Sequence, residues 1–468
     1  MIGVQAFGAY IPLYRLSREL MGKAWGLPSG PGERAVANID EDTVTMAVEA
    51  GLDCLKDIDP KTVDGLFFAS TSAPYKEKAA STIIATTLDL PRNALTQDFT
   101  DSLRAGTTAI RAASDAIVSG SAKRVLVVAS EIRISEQESM EEQSYGDAAA
   151  AVLLSSEDVA AELKDFYSIQ DEIVGTWRKD SDEYIMHFED KVNVKYGYQA
   201  NVIEAIKGLA QKSGIELKEI ARLASSYIGP RDLAGVAKKT GLDPKSQVQD
   251  VFFASLGNAG TAQPLISFVA ALEDASPGDD IMLVAHGDGA DALIFTVTEK
   301  IKSLSPRLGV KGHLKRKREL SSYELYARNR KIIMKNFKSP PASPVIHWRE
   351  RQAELPFYGL RCKNCGQVQY PMVRVCYVCH SKDNFEKVRL GTKGTIYTFT
   401  RDFIRSGGAE PVPWCVIHLE DGCRVFLTMT DCDPDEVKIN MPVERTFRLV
   451  HQGGGFNNYY WKCRPVQG

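Results

Sequence analysis

Thiols are almost missing from the first three quarters of this chain. Of nine cysteines in 468 residues, only Cys54 precedes Cys362. Cys54 sits in TMAVEAGLDCLKDI, an amphipathic helical pattern that reads as a buried structural thiol. Residues 1–361 therefore offer no free cysteine for covalent chemistry. An excess of either charge is also lacking: 57 Lys and Arg stand against 60 Asp and Glu, a formal charge of -3. This removes the global electrostatic case for nucleic acid. No apolar run approaches the roughly 20 residues of a membrane span. The opening MIGVQAFGAYIPL lacks a basic segment leading into the apolar stretch of a signal peptide. A cytoplasmic chain of two or three domains, with no membrane or nucleic-acid partner, is expected.

What is present up to residue 300 is an alternation of strand-length apolar runs and Ala-rich helical segments, the pattern of an α/β layered fold. Strands are expected over 63–69, 124–129, 149–154, 281–285 and 292–297, and helices over 42–55, 81–88, 106–119, 198–213 and 264–274. Three pieces recur in the same order. LFFASTSAP from Leu66 is echoed by LASSYIGP from Leu223, SLRAGTTA from Ser102 by SLGNAGTAQ from Ser255, and RVLVVASE from Arg124 by DIMLVAHG from Asp280. Offsets of about 155 residues indicate two copies of one α/β unit. Residues 98–119, DFTDSLRAGTTAIRAASDAIVS, run from a turn holding Ser102 and Leu103 into the helix at the centre of the first copy.

Residues 300–318, KIKSLSPRLGVKGHLKRKR, carry eight Lys or Arg and read as an exposed connector, or else a basic lip that meets phosphates. A helix over 323–335 and a hinge at 338–344 (KSPPASP) follow. Then comes Cys362-x2-Cys365, ten residues, and Cys376-x2-Cys379. Two such knuckles supply the four thiolates of a closed tetrahedral Zn(II) site, which is structural because no position is left open. His380 is expected to be a bystander. Short β-type runs over 394–400, 414–419, 424–430 and 443–449 suggest a small barrel.

On FASTSAPYKEKAASTIIA (68–85), FTDSLRAGTTAI (99–110), TWR (176–178), SLGNAGTA (255–262), DIMLVAHGDGADA (280–292) and YELYARNRKI (323–332), the chain resembles the thiolase superfamily. The resemblance is to its hydroxymethylglutaryl-CoA synthase branch, as found in archaea. From about residue 342 the tail resembles the zinc-ribbon and OB-fold accessory proteins of thiolase-like enzymes. The resemblance implies a duplicated layered fold with halves at 1–165 and 166–335, a zinc ribbon at 342–385 and an OB-like barrel at 386–468. It also implies a CoA thioester substrate, a homodimer and a thiolase-like partner protein.

In that family a Cys nucleophile works with a Glu base, a His and a neighbouring Asn. Carried onto this sequence, the nucleophile falls on Leu103, the Glu on Thr71 and the His on Ile228, and only the Asn is kept, as Asn258. Ser102 is one residue out of register. Three functions remain open. The first is an aldol or retro-aldol step on a 3-hydroxyacyl-CoA without an acyl-cysteine. Its proton-handling candidates are His286, Tyr227, His187, Tyr196 and Tyr198, with Asn258 as a donor. The second is acyl transfer by Ser102, which would need an adjacent base. The third is a non-catalytic scaffold or substrate-channelling subunit. Base stacking by Tyr397, Phe399, Tyr459, Tyr460 and Trp461 is a further, lesser possibility against packing roles in the barrel.

Overall fold

In a computed structural model, residues 1–188, 190–333, 341–404 and 411–466 are described. The chain divides into two units, Met1–Lys335 and Asn336–Gly468.

Nine strands form the sheet of the first unit, most of them apolar runs whose side chains alternate between two buried faces, although residues 95–99 and 161–170 are more polar and partly exposed. They are β1 (Gly3–Tyr10), β2 (Gly65–Ala69), β3 (Leu95–Phe99), β4 (Arg124–Glu131), β5 (Ala148–Ser155), β6 (Ala161–Gln170), β7 (Arg222–Ser225), β8 (Asp280–His286) and β9 (Gly289–Val297). They form one sheet in the order β7-β8-β9-β6-β1-β5-β4-β2-β3. The duplication is visible in that order. Each half has a parallel pair (β2 with β4, β7 with β8), then an antiparallel strand (β5, β9), then β1 or β6. Residue 165, the expected boundary, falls inside β6, whose whole length pairs with β9 of the second half.

The principal helices are α1 (Thr43–Cys54), α2 (Ala80–Leu88), α3 (Ala105–Val118), α4 (Ala200–Ser213), α5 (Pro230–Thr240) and α6 (Gln263–Asp274). Phe67, Ala69, Val127 and Ala129 share a core with Ala109 of α3, Leu265 of α6, and Leu283 and Phe295 of the second half. Helices α3 and α6 are thus the central layer between the two sets of strands. Met282, Val284, Ala292 and Ile294 face the other way, onto Ile206 of α4 and Val236 of α5. Strands buried on both faces need apolar side chains on both, which is why these runs are nearly continuous rather than alternating.

Residues 300–318 are not an exposed connector. They contain α7 (Gly309–Lys315), with Val310 fully buried. Asp53 accepts from the backbone N–H groups of Leu308 and Gly309 at 3.1 and 3.0 Å, and Glu273 from those of Val310 and Lys311. Arg307 reaches the Phe7 carbonyl. The Asp53 and Glu273 carboxylates cap the start of α7, and Lys300, Lys302, Lys311 and Lys317 pair with Asp158, Glu299, Asp274 and Glu33, which leaves the role of the run as a phosphate lip without support. The next helix runs Tyr323–Asn329; residues 334–340, including the end of the expected helix and most of the hinge, lie outside the described residues.

The second unit opens with the helix Pro344–Glu354 and a three-stranded ribbon of β10 (Tyr358–Cys362), β11 (Val368–Gln369) and β12 (Phe385–Arg389). Five strands follow: β13 (Lys393–Asp402), β14 (Val412–Leu419), β15 (Arg424–Thr428), β16 (Pro442–Gly453) and β17 (Phe456–Pro465). Their order is β15-β14-β13-β16-β17, and a bridge from Met429 to Cys463 closes the sheet on itself. Strand β17 fixes the aromatics considered for base stacking. Trp461 is fully buried and donates to the Leu355 carbonyl at 2.8 Å, Tyr459 is buried, and the Tyr460 hydroxyl meets that of Tyr370 at 2.6 Å. Phe399 is half-buried, and Tyr397, beneath the Arg424 guanidinium, remains exposed. No helix among the described residues is long and apolar enough to cross a membrane.

Candidate active site

Parallel strands ending at one level leave a crevice beyond their carboxyl ends, where loops can bring side chains together. Here β2 leads into Ser70–Ser72, β3 into the turn 100–104, β4 ends at Glu131, β7 leads into Tyr227 and Ile228, and β8 ends at His286. The register ties these ends together, since Ala69 lies opposite both Phe99 and Ala129, and Ser225 opposite Val284.

The turn before α3 meets the loop after β8. The Ser102 hydroxyl donates to the Gly287 carbonyl at 3.2 Å, and a Cβ on Gly287 would come within 2.7 Å of Ser102 Oγ and 3.0 Å of the Leu103 and Arg104 nitrogens. Arg104 donates to the Ile169 carbonyl at 2.6 Å and pairs with Asp291 at 3.3 Å, and Asp291 also accepts from Thr107 at 2.7 Å. Ser102 has no carboxylate or imidazole bonded to its hydroxyl among the described residues, so nothing there activates it as a nucleophile.

His286 is held by its backbone N–H, which donates to Ser226 Oγ at 2.9 Å, and by its ring, which meets Tyr198 edge-on at 5.4 Å. Its Nε2 is buried with no hydrogen-bond partner among the described residues. Burial, and next the Arg104 charge, lower its pKa from 6.5 to about 4, so the imidazole is neutral near pH 7. A neutral ring with an unused nitrogen can donate to or accept from a substrate oxygen.

Asn258 is a tie between loops. Its Nδ2 donates to the Tyr227 carbonyl at 2.8 Å, and its Oδ1 accepts from the Gly260 N–H at 2.9 Å. The second N–H of the amide has no partner among the described residues. Tyr227 itself is packed against Phe253, 3% exposed, and burial raises its pKa, so it is a core side chain whose hydroxyl has no partner among the described residues. Tyr198 is likewise buried and donates to the Ser226 carbonyl at 3.0 Å. His187 meets the Tyr145 hydroxyl at 3.0 Å, while Tyr196 is exposed. Ile228 is exposed beyond β7. Cys54 is buried in α1, its thiol pushed up to about 12 by burial.

Position 71 lies beside a carboxylate that the sequence pattern did not single out. The Thr71 N–H and Oγ1 each donate to Glu131 Oε2 at 3.0 Å, and Ser72 Oγ donates to Oε1. Glu131 is 1% exposed. Arg133, also buried, stacks over the Tyr145 ring at 4.2 Å. The one sequence signal for Glu131 was the continuation of the β4 run past Ala129.

Two family models match. 3-Oxoacyl-[acyl-carrier-protein (ACP)] synthase III covers residues 98–171, and the ChsH2 C-terminal OB-fold domain covers residues 387–448. A hydroxymethylglutaryl-CoA synthase of Pyrococcus horikoshii is 28% identical over 340 residues, 70% of this chain and 96% of the relative. One from Pyrobaculum arsenaticum is 30% identical over 314 residues, 64% of this chain and 89% of the relative. The chain belongs to the hydroxymethylglutaryl-CoA synthase family. Solved structures share this family's fold. PksG, an HMG-CoA synthase from Bacillus subtilis, superposes with a TM-score of 0.65 at 16% identity over 98% of this chain and 99% of its own. An HMG-CoA synthase complexed with CoA superposes with a TM-score of 0.63 at 20% identity over 73% and 92%. The family's thiolase-like layers and the OB-fold tail therefore account for both units.

In the second unit Cys362, Cys365, Cys376 and Cys379 bring their sulfurs within 4.8 Å of one another, and the closest pairs stand 3.6 Å apart. Tetrahedral thiolates about 2.3 Å from one ion have nearly this spacing, so the donor set fits a metal. Each knuckle is closed by a backbone bond, from Gly366 to Cys362 and from His380 to Cys376. Both closing residues have positive φ, 79° for Gly366 and 61° for His380. His380 thus occupies the turn position that glycine fills in the first knuckle, and the ligand set is all-cysteine. Asn364 donates to Cys379 Sγ, the first of the contacts that hold that thiol down to about 6.

Proposed function

We propose that the first unit makes or breaks a carbon–carbon bond in a CoA thioester, by an aldol or retro-aldol step on a 3-hydroxyacyl-CoA, without an acyl-cysteine intermediate. The observation that carries this reading is Leu103 in the turn that meets Gly287, in a family whose members resemble this chain but use a cysteine there. Around that turn the crevice keeps groups that such a step needs. His286 presents a neutral nitrogen, and Asn258 has one N–H free to polarise a thioester carbonyl as its enolate forms. Ser102, bonded to Gly287, shapes the turn in this reading. Tyr227 positions Asn258 through its carbonyl.

The tail would hold Zn(II) through its four cysteines as a structural ion that braces the ribbon. We further propose a homodimer. Strand β3 is a sheet edge with Leu95, Thr96 and Gln97 exposed, and would be available to a second copy or to a thiolase-like partner. A cytoplasmic location accords with the thiol-rich tail.

A panel of 3-hydroxyacyl-CoAs and short acyl-CoAs with carbonyl compounds tests the activity, followed by chromatography for product thioester and carbonyl and by intact protein mass. Product without a covalent adduct is expected. A stable acyl adduct on Ser102 would replace the reading by acyl transfer, and no turnover of any thioester would replace it by a scaffold.

A further inference from the structure

Glu131 is a buried carboxylate at the mouth of the crevice, placed by non-local pairing. Strands β2 and β4 are parallel with Ala69 opposite Ala129, so two residues further on Thr71 comes opposite Glu131. The same-face alternation of a strand puts Glu131 on the side of Ala129. That side packs on the start of α3, where a Cβ on Gly106 would lie 3.6 Å from Ala129 Cβ. On its other flank, a Cβ on Gly260 would lie 3.0 Å from Glu131 Cγ, so the loop of Asn258 rests on it. The carboxylate is therefore bounded by the Asn258 loop and the end of β2, while Ala129 on the same face packs on the start of α3.

Solvent does not reach Glu131, but two hydroxyls bonded to it are half-buried. Thr71 and Ser72 both donate to the carboxylate and both retain partial exposure. Ser72 Oγ also accepts from the Ile132 N–H at 3.0 Å, which fixes its orientation. Three donors use only part of the acceptor capacity of its two oxygens and leave a lone pair for a further proton. A hydroxyl that donates inward to a carboxylate can still take a proton from outside on an unused lone pair, and Ser72 keeps one beside its bond from the Ile132 N–H. We propose that Glu131, acting through the hydroxyls of Thr71 and Ser72, is the proton store of this crevice, an inference that rests on the aldol reading.

The step balances without any co-reactant. The C3 hydroxyl of a 3-hydroxyacyl-CoA gives its proton to the Thr71 or Ser72 oxygen, whose own proton passes to Glu131. The C2–C3 bond breaks, C3 becomes a carbonyl, and the electron pair moves into the thioester enolate. The proton then returns from Glu131 by the same hydroxyl to C2, leaving a shortened acyl-CoA and regenerating the carboxylate. Glu131 is in this sense a positioning residue with a proton to lend, since it touches no substrate atom itself.

Two readouts on the full-length protein separate this proposal from the reading beneath it. One is turnover of the 3-hydroxyacyl-CoA panel, and the other is exchange of the C2 hydrogens of an acyl-CoA into deuterium oxide, which needs the proton path but no bond cleavage. With Glu131→Gln, kcat and exchange are expected to fall about 10²–10⁴-fold with KM within threefold. Glu131→Asp should recover part of the loss. Thr71→Val with Ser72→Ala should lose as much as Glu131→Gln. Thr71→Glu placed in the Glu131→Gln background should regain activity, which a purely structural role would not produce. Folding of each variant is checked by its thermal midpoint. Turnover retained within threefold in a folded Glu131→Gln variant overturns the relay and leaves the aldol reading standing. Exchange that depends on Glu131 without any cleavage upholds the relay and removes the aldol reading. Neither exchange nor cleavage in the unmodified protein overturns both.

Discussion

The side-chain amide of Asn258 bridges the Tyr227 carbonyl and the Gly260 N–H, joining the loop after β7 to the loop before α6. Both backbone partners lie in a packed region, and losing the amide leaves them unsatisfied. Asn258→Ala is expected to cost about 1–3 kcal/mol of stability. Chemical denaturation measures it, and a change below about 0.5 kcal/mol would show that water replaces the amide.

Gly287 lies so close to the turn at Ser102 that even one methyl group meets Ser102 Oγ at 2.7 Å and two backbone nitrogens at 3.0 Å. Backbone cannot yield as a flexible side chain does. Gly287→Ala is expected to shift the turn at Leu103, destabilise the protein by about 1–3 kcal/mol, and lower turnover at least tenfold with thioester substrates. Thermal unfolding and steady-state kinetics check the two effects separately.

His286 links the crevice to pH. Its folded pKa of about 4 lies below the ordinary 6.5, chiefly because burial opposes the charged form, with Arg104 adding repulsion and Asp171 opposing it. Below pH 6.5 the unfolded chain binds a proton that the folded chain does not. The stabilising contribution is therefore complete above pH 6.5 and is lost as pH falls towards 4. His286→Gln should flatten this part of the stability profile. Denaturation midpoints of both proteins at pH 7 and pH 5 measure it; equal slopes would mean that the ring gains a proton freely in the folded state.

The four-cysteine cluster gives a prediction that needs no substrate. Metal analysis of protein purified without chelator should find one zinc per chain, and Cys376→Ser should abolish it. Thermal melts should then show early unfolding of the C-terminal unit, because binding of such an ion is coupled to folding. A chain that holds no metal and melts like the Cys376→Ser variant would reject the site.

Much of the fold was legible because it is written locally. The apolar runs that became β4, β8 and β9, and the Ala-rich α3, carry their own periodicity, and the repeat betrayed the two halves. Features that depend on distant partners were not legible. Residues 300–318 look like a connector until Asp53 and Glu273 arrive to cap α7. Strand β17 was not among the expected strands, and Trp461 and Tyr459 in it take the packing role preferred for them over base stacking. In the crevice, the turn at Ser102 was legible in the repeat, and His286 and Asn258 were singled out through the family resemblance. Glu131 was missed because its position opposite Thr71 follows from the parallel pairing of strands separated in sequence by α2, β3 and α3.

Leucine at position 103 changes how this molecule would age in an oxidising cell. A nucleophilic thiolate is the first group that peroxide attacks, and its loss ends turnover. Here the remaining thiol of the first unit, Cys54, is sealed inside α1 and held in its protonated form. Peroxide would instead find the ribbon, where the partly exposed Cys379 thiol is held down to about 6. Oxidative stress would thus be felt first as a loosened tail, with the chemistry of the crevice left intact.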